Sequence, residues 1–176
     1  AGTGGAVLLK TLPTVWKPNA SVNYVAGSFG LQMINTSLQW GNDHSQHSIS
    51  YTRQNSDGYR VQSKMKRDVF TYEAKMKAGE KDELNVFFLY GDLYYQTPGG
   101  LTKTQFEADP KAARPAAGIF PSAVQAQAAI YQETFLAGFS NEYQFSNRFK
   151  NTTSLYGAFT QIENPAIRNF EKRNEP

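Results

Sequence analysis

Two histidines three positions apart, His44 and His47, are the side chains in this sequence nearest to a metal site. A zinc site needs further His, Cys or carboxylate donors converging on the same ion. No carboxylate cluster accompanies the pair, so the two rings read as solvated residues at the end of a hairpin. Glu73 and Glu133 are candidates for paired acid and base roles, which would require both to reach one substrate. Each falls instead in an alternating strand pattern, where a carboxylate lining a wet face is the plainer reading. The chain has no Cys, which removes disulfides, Cys-ligated metals and thiol chemistry. No catalytic constellation emerges, so the expectation is a protein that is not an enzyme and carries no cofactor.

The elements that position these residues follow from composition and spacing. Aromatics make up 14% of the 176 residues, with ten Tyr and twelve Phe, whereas Leu, Ile and Val are sparse and mean hydropathy is negative. That mixture suits long strands with aromatics on one face and Gln, Asn, Ser and Thr on the other, the build of a membrane barrel with a wet lumen. A net charge of +3 comes from Lys and Arg scattered among acids, so no nucleic-acid partner is expected. No stretch approaches the roughly 18 apolar residues of a spanning helix, and the first ten residues lack the charged start and cleavage site of a signal peptide. The chain begins at Ala1 and stops in Asn174-Glu175-Pro176; both ends read as cut.

Gly2, Gly4 and Gly5 precede a short apolar run, Ala6 to Leu9, and Pro13 and Pro18 then mark a connector. Period-two alternation begins at Ser21. Ile34, Thr36, Leu38 and Trp40 alternate with polar neighbours up to Gly41-Asn42-Asp43, and Ile49, Tyr51 and Arg53 follow, which predicts a hairpin. Further strands are predicted around Phe70 to Met76, Leu84 to Tyr95, Tyr131 to Phe145 and Asn151 to Ile162, giving six in all. Between the fourth and fifth lies the longest interruption, Gln96 to Ala129, with several prolines and an Ala/Gln-rich tract, Ala123 to Ala129, that reads as one or two helical turns. The connections alternate short and long, the sorting expected of a barrel with brief turns on one side and extended loops on the other. Arg53 and Asp92 are charges to check against a lipid-facing band, and both fall near strand ends.

Several strings resemble the TonB-dependent outer-membrane receptors, in particular the iron-chelate or siderophore class. They are Ala1 to Thr11 (the last plug strand), Gly27-Ser28-Phe29-Gly30 (the start of the first barrel strand), Gln54 to Arg60, and Leu93 to Thr102 with its Tyr-Gln-Thr-Pro-Gly-Gly-Leu-Thr run; Asn164-Pro165 fits the same register. The resemblance implies an all-β fold, an antiparallel up-and-down meander of about six long strands forming part of a 22-stranded transmembrane β-barrel. It divides the chain into the end of a plug domain (1–12), a connector (13–20) and the N-terminal part of the barrel (21–176). The implied function is TonB-energised import of ferric chelates of siderophore or ferric-citrate type, at the bacterial outer membrane. The implied partners are a ferric chelate or other small ligand, TonB through the plug, and outer-membrane lipid and lipopolysaccharide.

By the same resemblance the ligand contacts fall on Tyr59, Arg60, Tyr95, Gln96, Arg114 and Arg168. Arg offers a planar fork to carboxylates, and Tyr offers stacking area with a hydroxyl. Two alternatives stand beside this reading. One is TonB-dependent uptake of an oligosaccharide or cobalamin; the other is a soluble β-rich binding or adhesion domain.

Overall fold

The computed structural model of the protein describes residues 16–165 and 170–175. The apolar run Ala6 to Leu9, assigned to a plug, lies outside the described residues, as do residues 13–15 of the connector and Arg168. Eight strands and one short helix follow in chain order: β1 (Asn19–Gly27), β2 (Leu31–Gly41), β3 (Ser45–Ser56), β4 (Met65–Lys77), β5 (Asp82–Gln96), α1 (Lys103–Ala108), β6 (Ala129–Ser146), β7 (Phe149–Pro165) and β8 (Phe170–Glu175). They form a single antiparallel sheet in which every strand pairs with its sequence neighbours, in the order β1 to β8.

Alternation explains the strands. Because successive side chains point to opposite faces, Ile34, Leu38 and Trp40 of β2 fall on one face while Asn35, Ser37 and Gln39 fall on the other. The register carries that division across the sheet: Ile34 opposes Tyr24 of β1, Thr36 opposes Tyr51 of β3, Tyr51 opposes Phe70 of β4, Phe70 opposes Tyr90 of β5, and Tyr90 opposes Phe135 of β6. Aromatic contacts knit this apolar face, with Phe88 edge-on to both Phe70 and Phe135 at centroid distances of 5.9 and 5.0 Å. Such pairs contribute about 0.5–1.5 kcal/mol each beyond area burial. On the polar face, short side chains bond across strands: Ser21 to Ser37 at 2.8 Å, Asn35 Nδ2 to Thr52 Oγ1 at 2.6 Å, and Ser50 to Thr71 at 2.7 Å.

Each of the six alternating runs seen in the sequence lies within a strand from β2 to β7, but two more strands flank them. Gly27-Ser28-Phe29-Gly30, expected to open a strand, is instead the turn between β1 and β2. Phe29 and Gly30 both have positive φ, 58° and 66°, the signature of the tight hairpin turn whose twist matches its strands. The β2–β3, β4–β5 and β6–β7 turns share one end of the sheet and the longer β3–β4 and β5–β6 loops the other, where the β1–β2 turn is a short exception to the sorting by length.

The expectation that these strands are part of a 22-stranded transmembrane barrel is overturned by the single open sheet that they form. A barrel pairs its first strand with its last and leaves no edge. Here β1 pairs with β2 and β8 with β7, and among the described residues neither has a second partner. Among the described residues the sheet is open and has eight strands. Import of ferric chelates falls with the barrel, because an open sheet encloses no lumen for a substrate to cross. Without a barrel wall among the described residues, TonB, ferric chelate, outer-membrane lipid and lipopolysaccharide lose their basis as partners. The outer-membrane location rested on the same multi-pass barrel and is likewise unsupported. Separately, no described helix is long and apolar enough to cross a membrane.

The closest packing lies at the loop end. Among the described residues only Ala74, Ala123, Ala128 and Ala129 are buried apolar groups, and three of these belong to the end of the β5–β6 connection and the start of β6.

Candidate functional site: the loop-end cleft

At the end of the sheet that carries the β1–β2 turn, the β3–β4 and β5–β6 loops fold against one another. Backbone bonds fix their relation, Val61 N–H donating to Lys111 O at 2.8 Å and Gln96 N–H to Lys64 O at 2.8 Å, while Thr97 N–H closes the base of the β5–β6 loop on Ala128 O at 2.9 Å. Side chains add to these. Arg60 donates through Nε and Nη2 to the Ala112 carbonyl, at 3.0 and 2.8 Å, and Gln62 Nε2 donates to Ala128 O at 3.1 Å. The Gln96 side-chain oxygen accepts from Lys64 N–H at 3.1 Å.

Between the loops is a cleft of about 530 Å³ lined by Tyr59, Arg60, Leu101, Thr102, Lys103, Phe106 and Pro110. Local sequence places each group. The Phe29 ring, carried on the β1–β2 turn, meets the Tyr59 ring edge-on at 5.4 Å, and the Phe29 carbonyl accepts from Asp57 N–H at 2.8 Å. Helix α1 positions Lys103 and Phe106. Thr102 caps it by accepting from Gln105 N–H at 3.3 Å, while the Gln105 side chain accepts from Thr102 N–H at 3.0 Å, a reciprocal capping box. Cations gather here: Lys103 pairs loosely with Glu107 at 3.8 Å, and Lys111 Nζ lies 5.7 Å from the centre of the Tyr59 ring. Tyr59 and Phe106 remain well exposed, at 48% and 57%, so their faces are available to a ligand.

Of the six residues expected to bind ligand, the structure brings Tyr59 and Arg60 together in this cleft. Gln96 ends β5 and ties the two loops through Lys64. Tyr95 opposes Met65 and Ile130, on the sheet face opposite the Tyr94–Tyr131 contact, and does not line the cleft. Arg114 is a packing residue of the long loop: its N–H donates to Pro98 O at 2.7 Å, its Nη2 donates to Pro121 O, and its Nε is buried without a partner. Gly99, with φ of 72°, leaves no space for a Cβ, which would approach Arg114 Cβ to 2.8 Å. Lys103, Phe106 and Lys111 were not expected. Thr102-x-x-Gln105 is a capping-box pattern that could have placed a helix there, but the Ala/Gln tract drew the expectation instead; residues 123–127 form turns, not a helix.

The other candidates for chemistry separate. Glu73 opposes Ser48 and Phe87, whereas Glu133 opposes Asp92 and Gln161; the register puts the two carboxylates on opposite faces. His47 lies between Trp40 and Tyr72, stacked at 5.2 and 6.2 Å. Its two ring nitrogens meet Ser45 Oγ at 2.7 Å and Tyr72 OH at 2.9 Å. His44 lies on the β2–β3 turn, its N–H donating to Asn42 Oδ1 at 2.9 Å. Among the described residues no group of three or more His, Cys, Asp or Glu is placed to hold a metal ion. An acidic corner gathers Asp92, Glu133 and Glu163 beside Tyr131. Burial first, then its neighbour Tyr94, pushes the Tyr131 hydroxyl up, and burial followed by the Glu133 charge does the same to Tyr90.

A larger hollow, about 1100 Å³, lies on the apolar face over Phe88, Ala137 and Gly157 and has no charged lining residue. Recognition sites combine apolar walls with a few convergent polar groups, a description that the loop-end cleft meets and the larger hollow does not.

No protein-family model matches the sequence, and no curated protein matches it. The strings that resembled TonB-dependent receptors therefore do not extend to a family match, and with an open eight-stranded sheet in place of a barrel that assignment does not stand.

Proposed function

We propose that this chain is a non-catalytic binding domain, a β-sheet platform whose loop-end cleft takes a small organic anion with an aromatic or otherwise apolar body. One observation carries the reading: Tyr59 and Phe106 offer exposed ring faces in a cleft that also holds the Arg60 and Lys103 cations. Two Arg60 donors are spent on Ala112, which leaves the rest of its fork and the Lys103 ammonium to meet an anionic group. Ring faces supply area and cation contacts. The separation of Glu73 from Glu133 across the sheet and the satisfied ring of His47 support a binding role over a catalytic one.

Calorimetry with phenyl phosphate as probe tests this. A fragment of that size should bind weakly, with a dissociation constant on the order of 1 mM. Lys103→Gln and Tyr59→Ala should each weaken it severalfold, and neutral benzyl alcohol should bind far less. Binding unchanged in both variants, or none at several times that concentration, would remove the proposal.

A further inference from the structure

Edge strands are normally protected by charge, proline, bulges or shortness, because an unpaired row of N–H and C=O groups invites another strand. The two edges of this sheet differ. β8 is six residues long with the sequence FEKRNE, and its Lys172 pairs with Glu163 of β7. β1 is nine residues long with the sequence NASVNYVAG and carries neither a charge nor a proline. Its Val22, Tyr24 and Val25 are 71%, 63% and 43% exposed. It pairs with β2 without a break over its whole length, so its outer edge is regular and without a partner strand among the described residues.

We propose that β1 is a self-association edge: two copies of the chain pair their β1 strands antiparallel about a two-fold axis through Asn23, extending one sheet into the other. The sequence is self-complementary in that register. Val22 falls opposite Tyr24 of the partner subunit, and the reverse, giving two β-branched–aromatic pairs on the apolar face, a favourable cross-strand combination. Ser21 falls opposite Val25 of the partner subunit, and Asn23 opposite itself, on the polar face. A two-fold axis normal to the sheet keeps both faces continuous, and the contact is isologous, so it closes at two copies. One nine-residue edge makes an interface at the small end of the specific range, so the dimer should be concentration-dependent.

The 176-residue chain has no cysteine, which permits a positional test on it. Directly opposed residues in an antiparallel pair have Cα atoms about 4.5–5.5 Å apart, inside the disulfide range. Asn23→Cys should therefore oxidise to a covalent dimer. Ser21→Cys should not, because its two copies would sit four positions apart along the strand, about 13 Å. Val22→Lys/Tyr24→Lys should sediment as monomer, and mixing it with Val22→Glu/Tyr24→Glu should restore a dimer. Equal crosslinking at positions 21 and 23, or none at either, would overturn the register. Failure of the mixed charge variants to associate, or a wild-type chain that stays monomeric at high concentration, would overturn the edge itself.

Discussion

Arg60 is the side chain on which the loop-end arrangement depends most. Its guanidinium spans from the β3–β4 loop to the Ala112 carbonyl with two donors, at 3.0 and 2.8 Å. Replacing it by Met keeps the stem and removes both bonds. A hydrogen bond from a charged donor contributes about 1.5–3 kcal/mol; the two share one acceptor and the site is half-buried, so about 2 kcal/mol is the expected loss. Because Arg60 ties two loops and reaches no strand of the sheet, that loss should appear as opening of the 97–128 connection rather than of the sheet. At about 1.4 kcal/mol per tenfold, amide exchange at Val61, Arg114, Ala123 and Ala128, all of which donate within or between these loops, should speed up roughly thirtyfold. Amides in the β2–β3 ladder should not change. Hydrogen exchange read by NMR separates the outcomes. Unchanged loop protection, or a uniform rise over loops and strands alike, would show that Arg60 does not hold the two loops together.

Three further outcomes follow from particular contacts. Gly30→Val places a β-branched residue at φ of 66° with its Cβ 2.3 Å from Asp57 Oδ2, and should cost more than about 1 kcal/mol, seen as a lower thermal midpoint. Phe88→Leu and Phe135→Leu, combined in a double-mutant cycle by denaturant titration, should give a coupling of about 0.5–1.5 kcal/mol; a coupling near zero would mean that the edge-on contact contributes only area. Glu83 should confer a small acid-dependent stability. Burial alone would raise its carboxyl, but hydrogen bonds from Lys75 and Asn85 and the charges of Lys75 and Lys77 outweigh it, and its affinity for protons falls. A lowered folded value means that the gain is full above the ordinary carboxylate range and is lost as pH falls through the folded value. Glu83→Gln should thus be less stable at pH 7 by under about 1 kcal/mol, given the partial exposure of the Lys75–Glu83 pair, with the difference vanishing in acid.

Much of the strand layout was legible because period-two alternation is a local signal. Ile34 to Trp40 and Ile49 to Arg53 place β2, β3 and the turn between them without any knowledge of the rest. Sheet closure is not local. An alternating strand has one apolar and one polar face whether the sheet curls shut or stays open, so alternation could not distinguish the 22-stranded barrel from the open sheet. Phe29-Gly30 misled because a bulky residue at positive φ is uncommon, and nothing in the sequence marks Phe29 as a turn residue. β8 was invisible for a different reason: FEKRNE lacks apolar alternation. Within the site, Tyr59 and Arg60 were picked out through the resemblance, with stacking area and a guanidinium fork as the physical case. Lys103 and Phe106 reach the cleft through the capping of a one-and-a-half-turn helix, a tertiary placement that composition does not reveal.

The binding reading is tested most directly by amide chemical-shift mapping of phenyl phosphate on the uniformly labelled chain. The account predicts saturable shifts at Tyr59, Arg60, Leu101, Lys103 and Phe106, the groups that line the cleft, with β2 and β3 unmoved. Shifts confined to Phe88, Ala137 and Gly157 on the apolar face, or none anywhere, would contradict it.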